Sequence, residues 1–169
     1  GTKQISAGYG YQSTNLILDF LVDEISTNIA EIERESNYSG AIYLSYKYAA
    51  IDKLMLGVIG IYENSNEDIL YTGGNYGTQK ITYLTFGLEL DYRYYNNEMT
   101  QIYSGFGAAL TKTHSEFTSI SNSKSEVDGN YFNFSITAVG FRYGKDFGIF
   151  GEFGFGYKGW LNGGISYQF

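Results

Sequence analysis

Residues 152–169 read EFGFGYKGWLNGGISYQF, and the spacing within them decides the fold. Phe153, Phe155 and Tyr157 alternate with Glu152, Gly154, Gly156 and Lys158. After a short break, Leu161, Gly163, Ile165, Tyr167 and Phe169 alternate with Asn162, Gly164, Ser166 and Gln168. A period of two is that of a β-strand, so each half is expected to carry one aromatic, apolar face and one small or polar face. The stretch ends on Phe169. A terminus in water usually frays, whereas the last strand of a closed membrane barrel seals against the first and ends in an aromatic girdle. The whole chain is therefore read as such a barrel.

Composition agrees. The 169 residues suit one domain, spanning residues 1–169. Proline is absent, which fits strands whose ladders need every donor. Charged residues make up 17%, below the roughly 25% usual for soluble domains. With no cysteine, disulfides, thiol chemistry and thiolate metal sites are excluded. A net charge of −7 argues against nucleic acid, which rewards a basic surface. No apolar run is long enough for a membrane helix, but barrel strands give a far weaker hydropathy signal. No signal peptide is visible, so a processed form beginning at Gly1 is expected.

Working back from the end, the same alternation recurs in residues 4–12 (Ile5, Ala7, Tyr9, Tyr11), 40–48 (Ile42, Leu44, Tyr46, Tyr48), 54–63, 81–94 and 100–113. In residues 54–63 both faces are apolar, which leaves their facing open. The segment 130–143 begins with Phe132, Phe134 and Ile136 on one face and ends with Val139, Phe141 and Tyr143 there. That phase slip near Thr137 and Ala138 predicts a β-bulge. Eight strands result, with short turns at 49–53, 95–99 and 144–147, and long polar loops at 64–80 and 114–129. The first loop, residues 13–38, differs. Leu18, Val22, Ile25, Ile29 and Ile32 recur at helical spacing, so an acidic amphipathic helix is expected over residues 16–33, capped by Thr14 or Asn15.

Alternation alone does not say which face is wet, and a soluble, lipocalin-like ligand-binding barrel has the same period. Glycine on the polar face suits a cramped interior better than a solvated strand. Once strand direction is applied, Tyr11, Tyr62, Phe132 and Tyr157 fall near the loop ends. Tyr48, Tyr94, Tyr143, Tyr167 and Phe169 fall near the turn ends, with Leu44, Val58, Leu88, Phe106, Ile136 and Ile165 between. Two aromatic girdles around an aliphatic band are a lipid-facing pattern. The expected fold is thus an all-β, eight-stranded antiparallel up-and-down transmembrane barrel, with its termini periplasmic and its long loops extracellular.

On these residues the chain resembles the small outer-membrane barrels of the OmpX/OmpA type, and is most similar to those of Bacteroidetes. The specific match is Asn162-x-Gly164-x-x-Tyr167-x-Phe169, preceded by the glycine- and aromatic-rich run from Glu152. The resemblance implies that Asn162, Gly164, Tyr167 and Phe169 are an assembly signal recognised by the barrel assembly machinery. It also implies a bacterial outer-membrane location among outer-membrane lipids and lipopolysaccharide. It implies no single activity, and the expected helical first loop departs from the enterobacterial members.

Candidate chemistry is sparse. Gly154-x-Gly156-x-x-Gly159 runs from strand to strand, whereas a dinucleotide site needs a strand followed by a helix. His114 and Ser115 are neighbours, so on a strand they face opposite ways and cannot form a nucleophile–base pair. The acidic residues near Asn64 to Asp68 match no calcium loop. Lys47, Glu63, Glu89, Asp91, Arg93, Arg142, Glu152 and Lys158 all fall on the inward face, and Glu89, Asp91, Arg93, Arg142 and Glu152 are expected to form one charge network filling the lumen. The helical stripe of the first loop is expected either to dock on another outer-membrane protein or lipoprotein or to fold onto the barrel rim. The chain is therefore expected to be a monomeric, non-enzymatic accessory or interaction subunit, or an envelope-stabilising protein, without cofactor or metal. A lipid-modifying enzyme using His114 and a narrow channel are the competing readings.

Overall fold

The computed structural model describes residues 1–15, 17, 32–71, 74–120 and 123–169. Among the described residues nine strands follow one another: β1 Lys3–Tyr11, β2 Ile32–Tyr38, β3 Ala41–Ile51, β4 Leu54–Tyr71, β5 Gly74–Asn96, β6 Thr100–Ser119, β7 Lys124–Tyr143, β8 Phe147–Gly156 and β9 Leu161–Gln168. All pair antiparallel. The sheet runs β4-β3-β1-β9-β8-β7-β6-β5 and closes through β4–β5. Closure leaves no free edge in that cylinder, so its ladders run from strand to strand all the way round. The seam is β1 against β9, with Gln4 opposite Gln168 and Gly8 opposite Gly164.

Polarity is inverted relative to a soluble barrel. Leu44, Phe86, Leu88, Phe106 and Leu110 point outward and are each more than half exposed, while Lys47, Glu89, Asp91, Arg93, Arg142 and Glu152 are buried inside. In β4 the doubtful facing resolves: Met55, Ile59 and Ile61 point in and Val58 and Tyr62 point out. Ile59 and Ile61 join Ala41, Tyr43, Ala109, Phe150 and Tyr157 in a small apolar cluster. The expected bulge lies between Thr137 and Val139. It keeps Phe134 and Ile136 before it, and Val139 and Phe141 after it, on the outer face. Tyr157, expected in the outer girdle, is instead fully buried. The backbone turns at Gly156, whose φ is +135°, and this swings the next side chain inward.

Of the expected polar loops at 64–80 and 114–129, residues 64–71, 74–80, 114–119 and 124–129 are strand. β4 pairs with β5 from Leu54–Tyr92 out to Tyr71–Gly74, and β6 with β7 from Thr100–Tyr143 out to Thr118–Lys124. Beyond the ends of β1 and β8 these hairpins continue as a ribbon ordered β2-β4-β5-β6-β7. Hydropathy does not mark them because a ribbon held by its own ladder needs no apolar stripe on its outer face. Burial still alternates, with Glu63, Ser65 and Glu67 covered and Tyr62, Asn66 and Asp68 exposed.

No helix is an element among the described residues; only a helical turn begins at Thr14, where Ile17 N donates to Ser13 O at 3.2 Å. The cap is therefore Ser13 rather than Thr14 or Asn15. Of the expected docking stripe, Leu18, Val22, Ile25 and Ile29 lie outside the described residues. Ile32 belongs to β2, opposite Tyr71 of β4. A strand partner with a free edge overrides the three- and four-residue spacing at that end.

Candidate functional site

Three layers of side chains fill the interior. In the middle, Lys47 Nζ lies 2.6 Å from Asp91 Oδ2 and 3.0 Å from Glu89 Oε2. Lys158 Nζ lies 2.6 Å from Glu152 Oε2 and 3.0 Å from Glu89 Oε1. Glu89 thus bridges two lysines. Tyr103 OH donates to Glu152 Oε1 at 2.8 Å, and Tyr43 OH to Asn162 Oδ1 at 2.6 Å. The lysine of the turn after β8 reaches this layer because residues 157–160 fold over the barrel mouth: Trp160 N donates to Tyr11 O and Gly159 N to Gly156 O. A cavity of about 10 Å³ lies between Lys47, Glu89, Glu152 and Lys158, no more than one water needs.

The arginines stand apart from this network. Arg142 donates to Ser166 Oγ (2.7 Å) and to the carbonyls of Gly144, Lys145 and Asp146, capping the turn between β7 and β8. Arg93 Nη2 donates to Gln4 Oε1 at 2.8 Å. Glu89, Asp91 and Glu152 therefore meet Lys47 and Lys158 rather than Arg93 and Arg142. Counting charge was the available signal: three inward carboxylates on β5 and β8 need cations at the same height, and register puts Lys47 beside Gly57, which pairs with Glu89.

At the ribbon end, the turn after β1 drops into the lumen. Asn15 Nδ2 donates to Glu63 Oε2, Tyr131 OH donates to Asn15 Oδ1, and Asn133 Nδ2 to Asn15 Oδ1 at 3.0 Å. Tyr38 OH donates to Glu63 Oε1 at 2.7 Å, and Thr14 Oγ1 to Asn133 Oδ1 at 3.0 Å. Glu63 is buried and held by neutral donors. Sequence reading missed Asn15 as a plug because polar loop residues look alike until topology places one over the mouth.

The four residues of the expected assembly signal meet at the seam. Asn162 faces the lumen, Gly164 lies opposite Gly8, and Tyr167 and Phe169 are outward. Tyr167 stacks on Phe169 at 5.7 Å and lies 4.7 Å from Phe147, while Lys3 and Phe169 exchange backbone hydrogen bonds of 2.8 and 3.0 Å.

On the ribbon, His114 of β6 sits between two carboxylates. Its Nδ1 is 2.7 Å from Asp128 Oδ1 and its Nε2 3.2 Å from Glu116 Oε1. Hydrogen bonds to Asp128 and then Glu116 raise the His114 pKa above the ordinary 6.5, and the bond to His114 lowers that of Asp128 below 3.8. A raised histidine contributes stability below its unfolded value and loses it as pH climbs through the folded one. The lowered aspartate contributes above its unfolded value and loses it in acid. The bridge is therefore complete between those two ordinary values, and it weakens above the raised histidine pKa. Amide exchange across β6–β7 near His114 is expected to be slower at pH 5.5 than at pH 8.5 at matched intrinsic rates, and His114→Gln is expected to remove the difference.

No protein-family model matches the chain, and no curated protein does. Among solved structures, the crystal structure of Ail, the attachment invasion locus protein of Yersinia pestis, aligns with 15% identity and a TM-score of 0.48 over 100% of this chain and 99% of that one. The structure of Ail in complex with the heparin analogue sucrose octasulfate aligns with 16% identity and a TM-score of 0.50, at the same coverage. At that identity the likeness is one of architecture: the fold is similar to that of Ail, a small eight-stranded outer-membrane β-barrel.

Proposed function

We propose that this chain is an integral protein of the bacterial outer membrane whose ribbon binds other proteins outside the membrane, without catalysing a reaction. One observation carries the location: charged residues line a packed interior while aliphatic and aromatic rows cover the outside. Exposed apolar patches on soluble monomers rarely exceed a few hundred Å², so a continuous apolar belt calls for hydrocarbon around it. The aromatic residues Tyr9, Tyr11, Tyr62, Phe132 and Trp160 border the belt on the ribbon side, and Tyr48, Tyr94, Tyr143 and Tyr167 on the other. In this reading the short turns and both termini face the periplasm, and Lys80 and Lys112 stand on the outer face of the ribbon strands toward lipopolysaccharide.

The ribbon supports the binding role because β2 and the outer part of β7 end a sheet that projects beyond the barrel. The competing readings lose support from geometry. His114 is engaged by two carboxylates, and Ser115 Oγ accepts from Gln79 Nε2 at 3.1 Å on the opposite face. A channel finds the lumen filled at three levels. The heparin analogue bound by Ail is a polyanion; with a net charge of −7 this chain is a poor match for such a ligand.

Thr113 pairs with Gly129, so replacing residues 114–128 by Asn-Gly shortens the β6–β7 arm without changing register. The shortened protein is expected to fold in the membrane and to lose the proteins that co-purify with the intact chain in mild detergent. An unchanged set of companions would refute the ribbon as the binding surface, and release of the intact chain from membranes without detergent would refute the membrane reading.

The seam residues support the assembly-signal reading. Phe169→Ala removes the stacked ring beside Tyr167 and is expected to reduce membrane-inserted protein about tenfold, or about 1.4 kcal/mol in apparent terms. Membrane fractionation measures it, and normal levels would remove Phe169 from the signal.

A further inference from the structure

Two guanidiniums sit at the short-turn end of the lumen, and the chain treats them differently. Arg142 has three carbonyls and a hydroxyl around it. Arg93 is 4% exposed and donates through Nη2 to a neutral amide, Gln4 Oε1, which also accepts from Gln168 Nε2 at 2.7 Å. Its Nε makes no hydrogen bond. The nearest carboxylate in sequence, Asp91, makes its ion pair with Lys47, at 2.6 Å. A buried guanidinium without an anion is costly, because its desolvation is not offset by a charged partner.

Arg93 also lines an open pocket of about 500 Å³ at this mouth, walled by Thr2, Ala49, Asp52 and Asn96 among others. We propose that Arg93 is the base of an anion site there, and that the ligand is a monocarboxylate. The planar edge formed by Nε–H and Nη2–H matches two carboxylate oxygens, so the ligand would satisfy the unpaired Nε and displace the amide oxygen of Gln4 from Nη2. Arg93 is the only cationic side chain among the described residues that line the pocket, and Asp52 stands on its wall, which disfavours a doubly charged phosphate. The carboxylate can belong to a small acid or to the C-terminus of a peptide. In the orientation proposed above the mouth opens to the periplasm, but the chemistry of the site does not depend on that orientation.

The Nε–Hε resonance of Arg93 in ¹⁵N-arginine-labelled protein in detergent micelles tests the assignment. It is the signal missing from Arg93→Lys or, should that variant not fold, the one left after Arg34→Lys and Arg142→Lys. Sodium acetate is expected to move it saturably, with sodium chloride at equal ionic strength leaving it in place and the Arg142 signal still. N-acetyl-dialanine with a free C-terminus is expected to act like acetate, and its amide not at all; a response to acetate alone would restrict the ligand to small acids. Asp52→Asn is expected to tighten acetate binding about threefold by removing a like charge. Absence of saturation, equal movement of Arg142, or tighter binding of inorganic phosphate than of acetate would overturn the proposal.

Discussion

Lys158→Met is expected to lower the unfolding free energy by about 3–5 kcal/mol, the usual cost of stripping one partner from a buried ion pair. Glu89→Gln is expected to cost no more than about 1 kcal/mol, although Glu89 touches both lysines. The asymmetry follows from charge. The middle layer holds two cations, Lys47 and Lys158, and three carboxylates, Glu89, Asp91 and Glu152. Its balance is therefore 2 − 3 = −1. Neutralising Glu89 brings the layer to zero and leaves both 2.6 Å pairs, Lys47–Asp91 and Lys158–Glu152, intact. Removing Lys158 takes the layer to −2 and leaves Glu152 with only hydroxyl donors, from Tyr103 at 2.8 Å and Thr137 at 3.4 Å. Reversible urea unfolding in lipid vesicles measures both variants. Equal losses would show that the layer acts as simple filler rather than as an electrostatic unit.

The same layer marks how far the sequence could be read. Alternation assigned the inward face correctly for Lys47, Glu89, Asp91, Arg93, Arg142 and Glu152, because a period of two leaves only two choices per strand; Lys158 is also inward, but through the turn after β8 rather than through a strand's period. Height along the barrel is a different quantity. It depends on the stagger between neighbouring strands, which bulges at Thr137, Tyr103 and Ala49 reset. Without that stagger the arginines and lysines were interchangeable, and the arginines were placed in the network that the lysines occupy. The ribbon was illegible for another reason. Its strands carry Asn, Ser, Thr and Glu on both faces, so composition pointed to loops even though backbone pairing continued. Tyr157 was misplaced because one glycine with positive φ ends the alternation before it.

Gly10→Val is expected to reproduce the Lys158→Met defect without touching a charge. A Cβ built on Gly10 falls 1.8 Å from the carbonyl oxygen of Lys158, a backbone atom that yields only if the whole turn moves. That turn is already committed: Gly159 has φ +88°, and a Cβ there would fall 2.1 Å from Tyr11 O. Only glycine accepts such a conformation so close to a neighbouring backbone. Pushing the turn off Gly10 breaks the bond from Trp160 N to Tyr11 O and withdraws Nζ of Lys158 from Glu89 and Glu152. The expected loss is about 3 kcal/mol, at the upper end for overpacking, with the lost ion pairs as its main part. The test is a double-mutant cycle. If the steric and electrostatic defects are one event, Gly10→Val combined with Lys158→Met costs little more than either alone, leaving a coupling of about 2–3 kcal/mol. Additive losses would mean that the turn shifts without releasing Lys158, and that glycine at position 10 serves the β1–β9 seam rather than the charged layer.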